Sequence, residues 1–265
     1  MLKAAIHCHS TYSDGELTLA ELRQIYSAAG YDVVCMTDHA EFFDAESLKS
    51  YVDDCEELSD AKFRFISGLE FECERRMHIL AYGVTALVNS TNPEHVIGHI
   101  EQEGGVSVIA HPGDNMFEWI ETFSILPAGI ETWNSKYDGP TAPRPRTFQL
   151  LNRLQQRKPE MRAFYGQDFH WRRQYRGLFN LIDVADKSRS QILEEFRKGN
   201  YHGQHLETLL PSDGILQEPL LAGYEIDSAR YMRKQRVFKS MKKMTGRLGK
   251  QLPAPIKSRI RKLFT

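Results

Sequence analysis

Short apolar runs alternate along the chain with longer stretches in which apolar residues return every third or fourth position. The runs are KAAIHC, DVVCMTDH, FRFISGLEFEC, MHILAYGV, VSVIAHP, AGIETWN, MRAFYGQD and GLFNLIDV. Between them lie LTLAELRQIYSAAG, SLKSYVDDCEELS, PEHVIGHIEQEGG, TFQLLNRLQQR and SRSQILEEFRKGN. The first set reads as strands and the second as amphipathic helices, and their alternation predicts βα units around a parallel sheet. Seven or eight strands favour a closed α/β barrel over an open doubly wound sheet. The glycine-rich turn that a dinucleotide-binding fold places after its first strand is missing.

In a barrel of this kind functional groups gather where strands run into the following loops. Metal-capable residues stand at those places. His7 and His9 close the first run, Asp38 and His39 close DVVCMTDH, Glu70 ends FRFISGLE and His111 ends VSVIAH. Glu131 lies in GIETWN, and Asp168 and His170 end AFYGQDFH. His78 opens MHILAYG, where the return strand of a hairpin after Glu70 would put it. Residues i and i+2 of a strand share a face, so His7 and His9 are expected to aim at one spot and Cys8 elsewhere. A lone histidine at a strand end is ordinarily a hydrogen-bonded core or loop residue. Recurrence at the corresponding ends of successive strands is what predicts a metal site.

The ordered set HCHSTYSDG, TDH, GLE, MHILAYG, AHP, GIETWN and GQDFH resembles the PHP family, the polymerase and histidinol phosphatase superfamily, from about residue 3 to residue 200. The resemblance implies a distorted (β/α)7 barrel that binds two to three divalent ions of zinc, manganese or iron and hydrolyses phosphate esters. Carried over by position, it implies one ion on His7, His9, Glu70 and Asp168, a second on Asp14, His39 and His170, and a third on His78 and His111 with Glu70 bridging. All of these except His78 are expected to carry catalysis, with a hydroxide bridging the first two ions as nucleophile. Some members have histidine where this chain has Asp14, which favours manganese or iron a little. Asp38 and Glu131 are expected to hold ligand histidines in the required tautomer.

Substrate contacts are expected from Lys136, Arg144 and Arg146 in NSKYDGPTAPRPRTF and from Arg172 in DFHWRRQYR, with Tyr137 or Trp171 placed to stack on a base. The expected substrates are mono- or diesters of nucleotides or short oligonucleotides, and the alternative is a phosphorylated sugar, polysaccharide or lipid intermediate. An amidohydrolase also opens with H-x-H, but it bridges its metals through a modified lysine where this chain has Glu70. A scaffold without chemistry would have no reason to keep all nine ligands.

Charge divides the chain. Residues 228–265 carry 13 Lys or Arg and no Asp or Glu, leaving 21 basic against 35 acidic residues before Ser228 within an overall net charge of -1. A body of this sign repels phosphate, so bound cations would have to reverse the field at the barrel mouth. The expected organisation is a metal-binding barrel over 1–205, a connecting segment over 206–227 and a basic amphipathic tail over 228–265. Val237, Met241, Met244 and Leu248, then Ile256, Ile260, Leu263 and Phe264 beyond a proline break, predict two helices suited to an anionic membrane surface, to another polyanion or to the barrel itself. Cys8, Cys35, Cys55 and Cys73 have no paired spacing, and no leader or spanning segment is evident, so reduced thiols and a cytoplasmic protein, in part peripheral to the inner membrane face, are expected.

Overall fold

The structure is a computed structural model that describes residues 1–248 apart from Arg176 and Ala185, with side chains described to Val237 and at Ser240. β1 (Leu2–Cys8) pairs in parallel with β2 (Val33–Met36), and β2 with β4 (Arg64–Ile66). Past Thr37 and Ser67 the same two chain segments continue as β3 (Asp38–His39) and β5 (Gly68–Cys73), which belong to a second sheet. That sheet runs on through β6 (Met77–Tyr82), β7 (Val106–Ala110), β8 (Gly129–Asn134) and β9 (Arg162–Gly166). The segment after β9 then returns to β1: Gln167 N donates to Ile6 O at 3.1 Å, Phe169 N to His7 O at 3.0 Å and His9 N to Phe169 O at 2.9 Å. Seven strand positions therefore follow one another around a circuit, with β6 antiparallel to both neighbours.

Six helices lie between these strands or follow them: α1 (Leu19–Ala28), α2 (Ala45–Glu57), α3 (Pro93–Gln102), α4 (Phe117–Glu121), α5 (Pro145–Gln155) and α6 (Arg189–Lys198). Local chemistry sets their ends. Thr18 and Glu21 form a capping box on α1, Asn92 caps α3 ahead of Pro93, and α6 stops at Gly199, whose φ of 80° the missing Cβ permits. Leu2, Ala4, Ile6, Cys35, Ile66, Leu80, Val108 and Phe164 fill one apolar core. Ala5, Val34, Leu69, Ile79, Ile109 and Ile130 point the other way, into the layer shared with the helices.

GLFNLIDV, expected as one more parallel strand, departs from the sequence reading. It forms β10 (Leu178–Ile182), antiparallel to the start of β1, and leads into β11 (Tyr201–His205) and β12 (Thr208–Pro211) as an antiparallel meander. The cause is competition for one strand edge, because residues 167–169 already occupy the later half of β1. The expected boundary at 205 falls in the β11–β12 turn, and Leu210 beyond it is buried in the core.

The first of the expected tail helices is the end of a longer one, α7 (Glu218–Leu248). Its first half packs on the barrel, with Tyr224 buried and its ring 6.3 Å from that of Trp133. The second expected helix lies outside the described residues. No helix among the described residues is long and apolar enough to cross a membrane.

Candidate metal centre

Three ligand positions depend on irregular backbone. Ile6 points into the barrel core, so a regular β1 would turn His7 outward with Ala5. Instead His7 has φ 61°, and the pairing with β2 slips between Ile6 and Cys8, a bulge that turns the imidazole inward. Asp168 has φ 51° and His111 φ 28°. Such conformations cost a side-chain-bearing residue of order 1–3 kcal/mol each and concentrate at functional sites. His7 and His9 share a face with Cys8 on the other, as i, i+2 alternation leads one to expect, and the bulge is what turns that face toward the barrel interior.

Glu70 lies at the middle of the constellation and is buried. Its Oε2 is 3.3 Å from His7 Nε2, 3.2 Å from His9 Nε2 and 3.7 Å from His39 Nδ1. Its Oε1 is 2.7 Å from His78 Nδ1 and 3.4 Å from His111 Nε2. Asp168 Oδ1 lies 3.8 Å from both His7 Nε2 and His9 Nε2 and 3.1 Å from His170 Nδ1. Asp14 Oδ1 lies 3.2 Å from His170 Nε2, 3.7 Å from His39 Nε2 and 3.8 Å from His9 Nδ1. All nine expected ligands are brought together, in four overlapping groups: His9, Asp14, His39 and His170; His7, His9 and Asp168; His7, Glu70 and His111; His39, Glu70 and His78. The grouping is more shared than expected, since His9 also reaches the Asp14 group and His39 the Glu70 group.

The donor set fits divalent ions. Two ligand atoms each about 2.1 Å from one ion stand roughly 3–4 Å apart, as most of these pairs do. Neither ring nitrogen of buried His9 makes a well-directed hydrogen bond, although Glu70 Oε2 lies 3.2 Å from Nε2, and neither does His39 Nδ1. An unpaired buried polar group is costly unless something else satisfies it. Burial lowers His9 to about 3, so this imidazole is neutral with a lone pair to give. Burial would lower His7 too, but the charges of Glu131, Asp168 and Glu70 outweigh it and hold the group well above its ordinary value. Against the opposing effect of burial, His7 holds both Glu70 and Asp168 well below the carboxylate range, and the other imidazoles support it.

Glu131 lies against an imidazole, where an orienting partner would stand. Its Oε1 accepts from His7 Nδ1 at 2.8 Å, leaving His7 Nε2 to face the cluster, and its Oε2 accepts from the His111 backbone N at 2.9 Å. Asp38 does not. It accepts from Ser10 N at 2.8 Å, Ser10 Oγ at 2.9 Å and Ser13 Oγ at 2.6 Å, and so fixes the loop that carries Asp14 instead of orienting an imidazole.

Among the expected substrate contacts, Lys136 is in the centre, with Nζ 2.8 Å from Asp168 Oδ1 and 3.3 Å from each ring nitrogen of His170. Arg144 and Arg146 are engaged elsewhere. Arg144 binds the buried Asp138 and Pro112 O, and Arg146 binds Asp114, so both pin loops together. Arg172 lines a cleft of about 570 Å³ with Glu16, Trp171 and Arg173. The sequence reading missed Asn134. Its Nδ2 donates to Glu131 Oε2 at 3.0 Å and Asp168 Oδ2 at 3.2 Å, while its Oδ1 accepts from Lys136 N and Tyr137 N. Its place at the end of GIETWN, the same strand-end position as the ligands, was the available signal.

Residues 5–139 match the PHP domain family. An alignment of 139 positions is 29% identical to the DNA polymerase/3'-5' exonuclease PolX of Bacillus subtilis (strain 168), covering 42% of this chain and 23% of that protein's length. Among solved structures, a two-domain protein of Bacteroides vulgatus ATCC 8482, described as containing a predicted PHP-like metal-dependent phosphoesterase, superposes with TM-score 0.55 at 18% identity. That match covers 84% of this chain and 68% of the other. An amidohydrolase of Chromobacterium violaceum superposes with TM-score 0.51 at 15% identity, over 75% of this chain and 96% of its own. At these identities the two structural matches establish a shared fold.

Proposed function

Because this chain belongs to the PHP domain family, we propose that it is a metal-dependent phosphoesterase that hydrolyses phosphate mono- or diesters with the centre built on Glu70. The reading is carried by one observation: three carboxylates and five other imidazoles surround the buried His9, neither of whose ring nitrogens makes a well-directed hydrogen bond. Divalent ions held there would acidify water and neutralise charge on the phosphoryl oxygens. The chain's own residues supply the rest. Glu70, Asp168 and Asp14 provide the negative charge that holds the cations, and Glu131 fixes which nitrogen of His7 is offered. Lys136 places an ammonium at the mouth. Glu70 standing at the shared position is the reason for phosphorus rather than C–N chemistry.

Nucleotide esters are supported by two aromatic rings at the rim. Tyr137 is 51% exposed with its ring 4.5 Å from that of His111, and Trp171 is 38% exposed beside His170, so each can take a planar base. A phosphorylated sugar is supported by a different feature, a groove of about 1050 Å³ beginning at Ala40 and Glu41 and lined by Glu72, Glu74, Asn89, Ser90 and Asn92. Its donors and acceptors suit hydroxyl groups, and its carboxylates disfavour a second phosphate.

The test is metal analysis of the purified protein, followed by turnover of p-nitrophenyl phosphate, its bis-ester, nucleoside monophosphates and sugar phosphates. Bound manganese, zinc or iron, activity lost on chelation, and a loss of 10³-fold or more in His9→Ala and Asp168→Asn are expected. Full turnover by His9→Ala, or by metal-free protein, would exclude the centre. Sugar phosphates turned over at the expense of nucleotides would select the groove over the aromatic rim.

A further inference from the structure

Lys136 is the only ammonium group touching the ligand cluster among the described residues, and the loop around it is held to keep it there. Asn134 accepts both Lys136 N and Tyr137 N, Ser135 N donates to Gly166 O at 3.0 Å, and Asp138 N donates to Asn134 O at 2.8 Å. Gly139, at φ 104°, takes the indole N–H of Trp133 on its carbonyl at 3.0 Å and lies against the ring of Tyr231 from α7. A long cationic side chain on a loop fastened at this many points loses little further freedom when it contacts Asp168.

The atoms it contacts are those an ion would need. A divalent cation on Asp168 Oδ1 and His170 stands a little over 2 Å from each. An ammonium 2.8 Å from the same oxygen and 3.3 Å from the same ring nitrogens would then be within direct repulsion of it. Lys136 must leave when the ion arrives, and the mouth offers a phosphate as its next partner.

We propose that Lys136 is a tethered placeholder cation: it neutralises Asp168 while the centre lacks metal, is displaced as the ion enters, and then binds the phosphoryl group of the substrate. This rests on the metal-centre reading above and adds a coupling to it. Metal and phosphate reinforce each other through Lys136, because phosphate gives the displaced ammonium a partner, and linkage requires the effect to be equal in both directions.

The experiment titrates Mn²⁺ into chelator-stripped full-length protein, with and without inorganic phosphate, for wild type, Lys136→Met, Lys136→Gln and Lys136→Arg, each checked for an unchanged melting curve. Without phosphate, the Met and Gln variants should bind Mn²⁺ on the order of tenfold more tightly than wild type, within the usual range of coupling effects. Phosphate should tighten Mn²⁺ binding more in wild type than in either neutral variant, and Lys136→Arg should follow wild type. Equal or weaker Mn²⁺ binding by the neutral variants, or an undiminished phosphate effect in them, overturns the placeholder role and leaves the metal centre standing. Failure of every protein to bind Mn²⁺ overturns both.

Discussion

His9 shows how burial prepares a side chain to hold a metal. Removed from water, with neither ring nitrogen in a well-directed hydrogen bond, it does not hold a second proton at neutral pH, so one nitrogen keeps a lone pair that an entering cation could take without displacing a proton. The same property leaves a mark on the metal-free protein. The folded value of about 3 lies below the ordinary imidazole value of 6.5, so the unfolded chain takes up the proton first as pH falls. Stability fully present above pH 6.5 should therefore be lost toward pH 3, at about 1.4 kcal/mol for each pH unit within that window. His7, raised, acts in the opposite sense, losing its contribution as pH rises, but it is common to wild type and a His9→Asn variant. Urea unfolding of the two metal-free proteins between pH 6.5 and 4.5 should show wild type losing ground to His9→Asn by that slope. A constant difference would mean that His9 is not buried without partners.

Strand ends made most of the centre legible. In a βα architecture the apolar run is the strand and the residue closing it lies at the rim, so His7, His39, Glu70, His111 and Asp168 could be found by locating where each run stops. Backbone irregularity and competition between side chains were not legible. No run of letters tells that His7 adopts φ 61°, that Asp38 is taken by Ser10 and Ser13, or that Asp138 and Asp114 claim the two arginines of the PRPR segment. The reversed β10 was hidden for a similar reason, since two segments compete for one edge of β1.

The end of β9 carries a further consequence. Gly166 packs so closely that a Cβ there would fall inside the Glu131 carboxylate and 3.1 Å from His7 Cβ. Gly166→Ala should push Glu131 off His7 and weaken Mn²⁺ binding by roughly 10- to 100-fold, the range seen when a partner of a ligand histidine is lost. Glu131→Gln should weaken it similarly, and the double variant should lose little more than either single one, because both act on one hydrogen bond. Unaltered Mn²⁺ affinity in Gly166→Ala, with the fold intact by circular dichroism, would remove Glu131 from the account.

Across the chain the charges are segregated, with 13 basic residues and no acidic ones after Asp227 and an acidic excess before it. On the phosphoesterase reading proposed above, such segregation would work only if bound cations and Lys136 reversed the acidic body locally at its mouth, leaving the basic end a role apart from catalysis. The first half of α7 is committed to the barrel through Tyr224 and Tyr231, whereas Arg233, Lys234, Arg236 and Val237 beyond it are exposed. A helix docked at one end and basic beyond it motivates a test for binding to an anionic surface. Full-length protein should therefore sediment with phosphatidylserine-containing vesicles at low salt and be released as salt rises, and pure phosphatidylcholine vesicles should not retain it. Changing Lys242, Lys243, Arg247 and Lys250 together to Gln should cut vesicle binding by up to roughly a thousandfold, at about 1 kcal/mol per charge, and leave kcat on a small soluble ester unchanged. Binding that survives both high salt and the fourfold change would show that the basic charges are not what holds the vesicle.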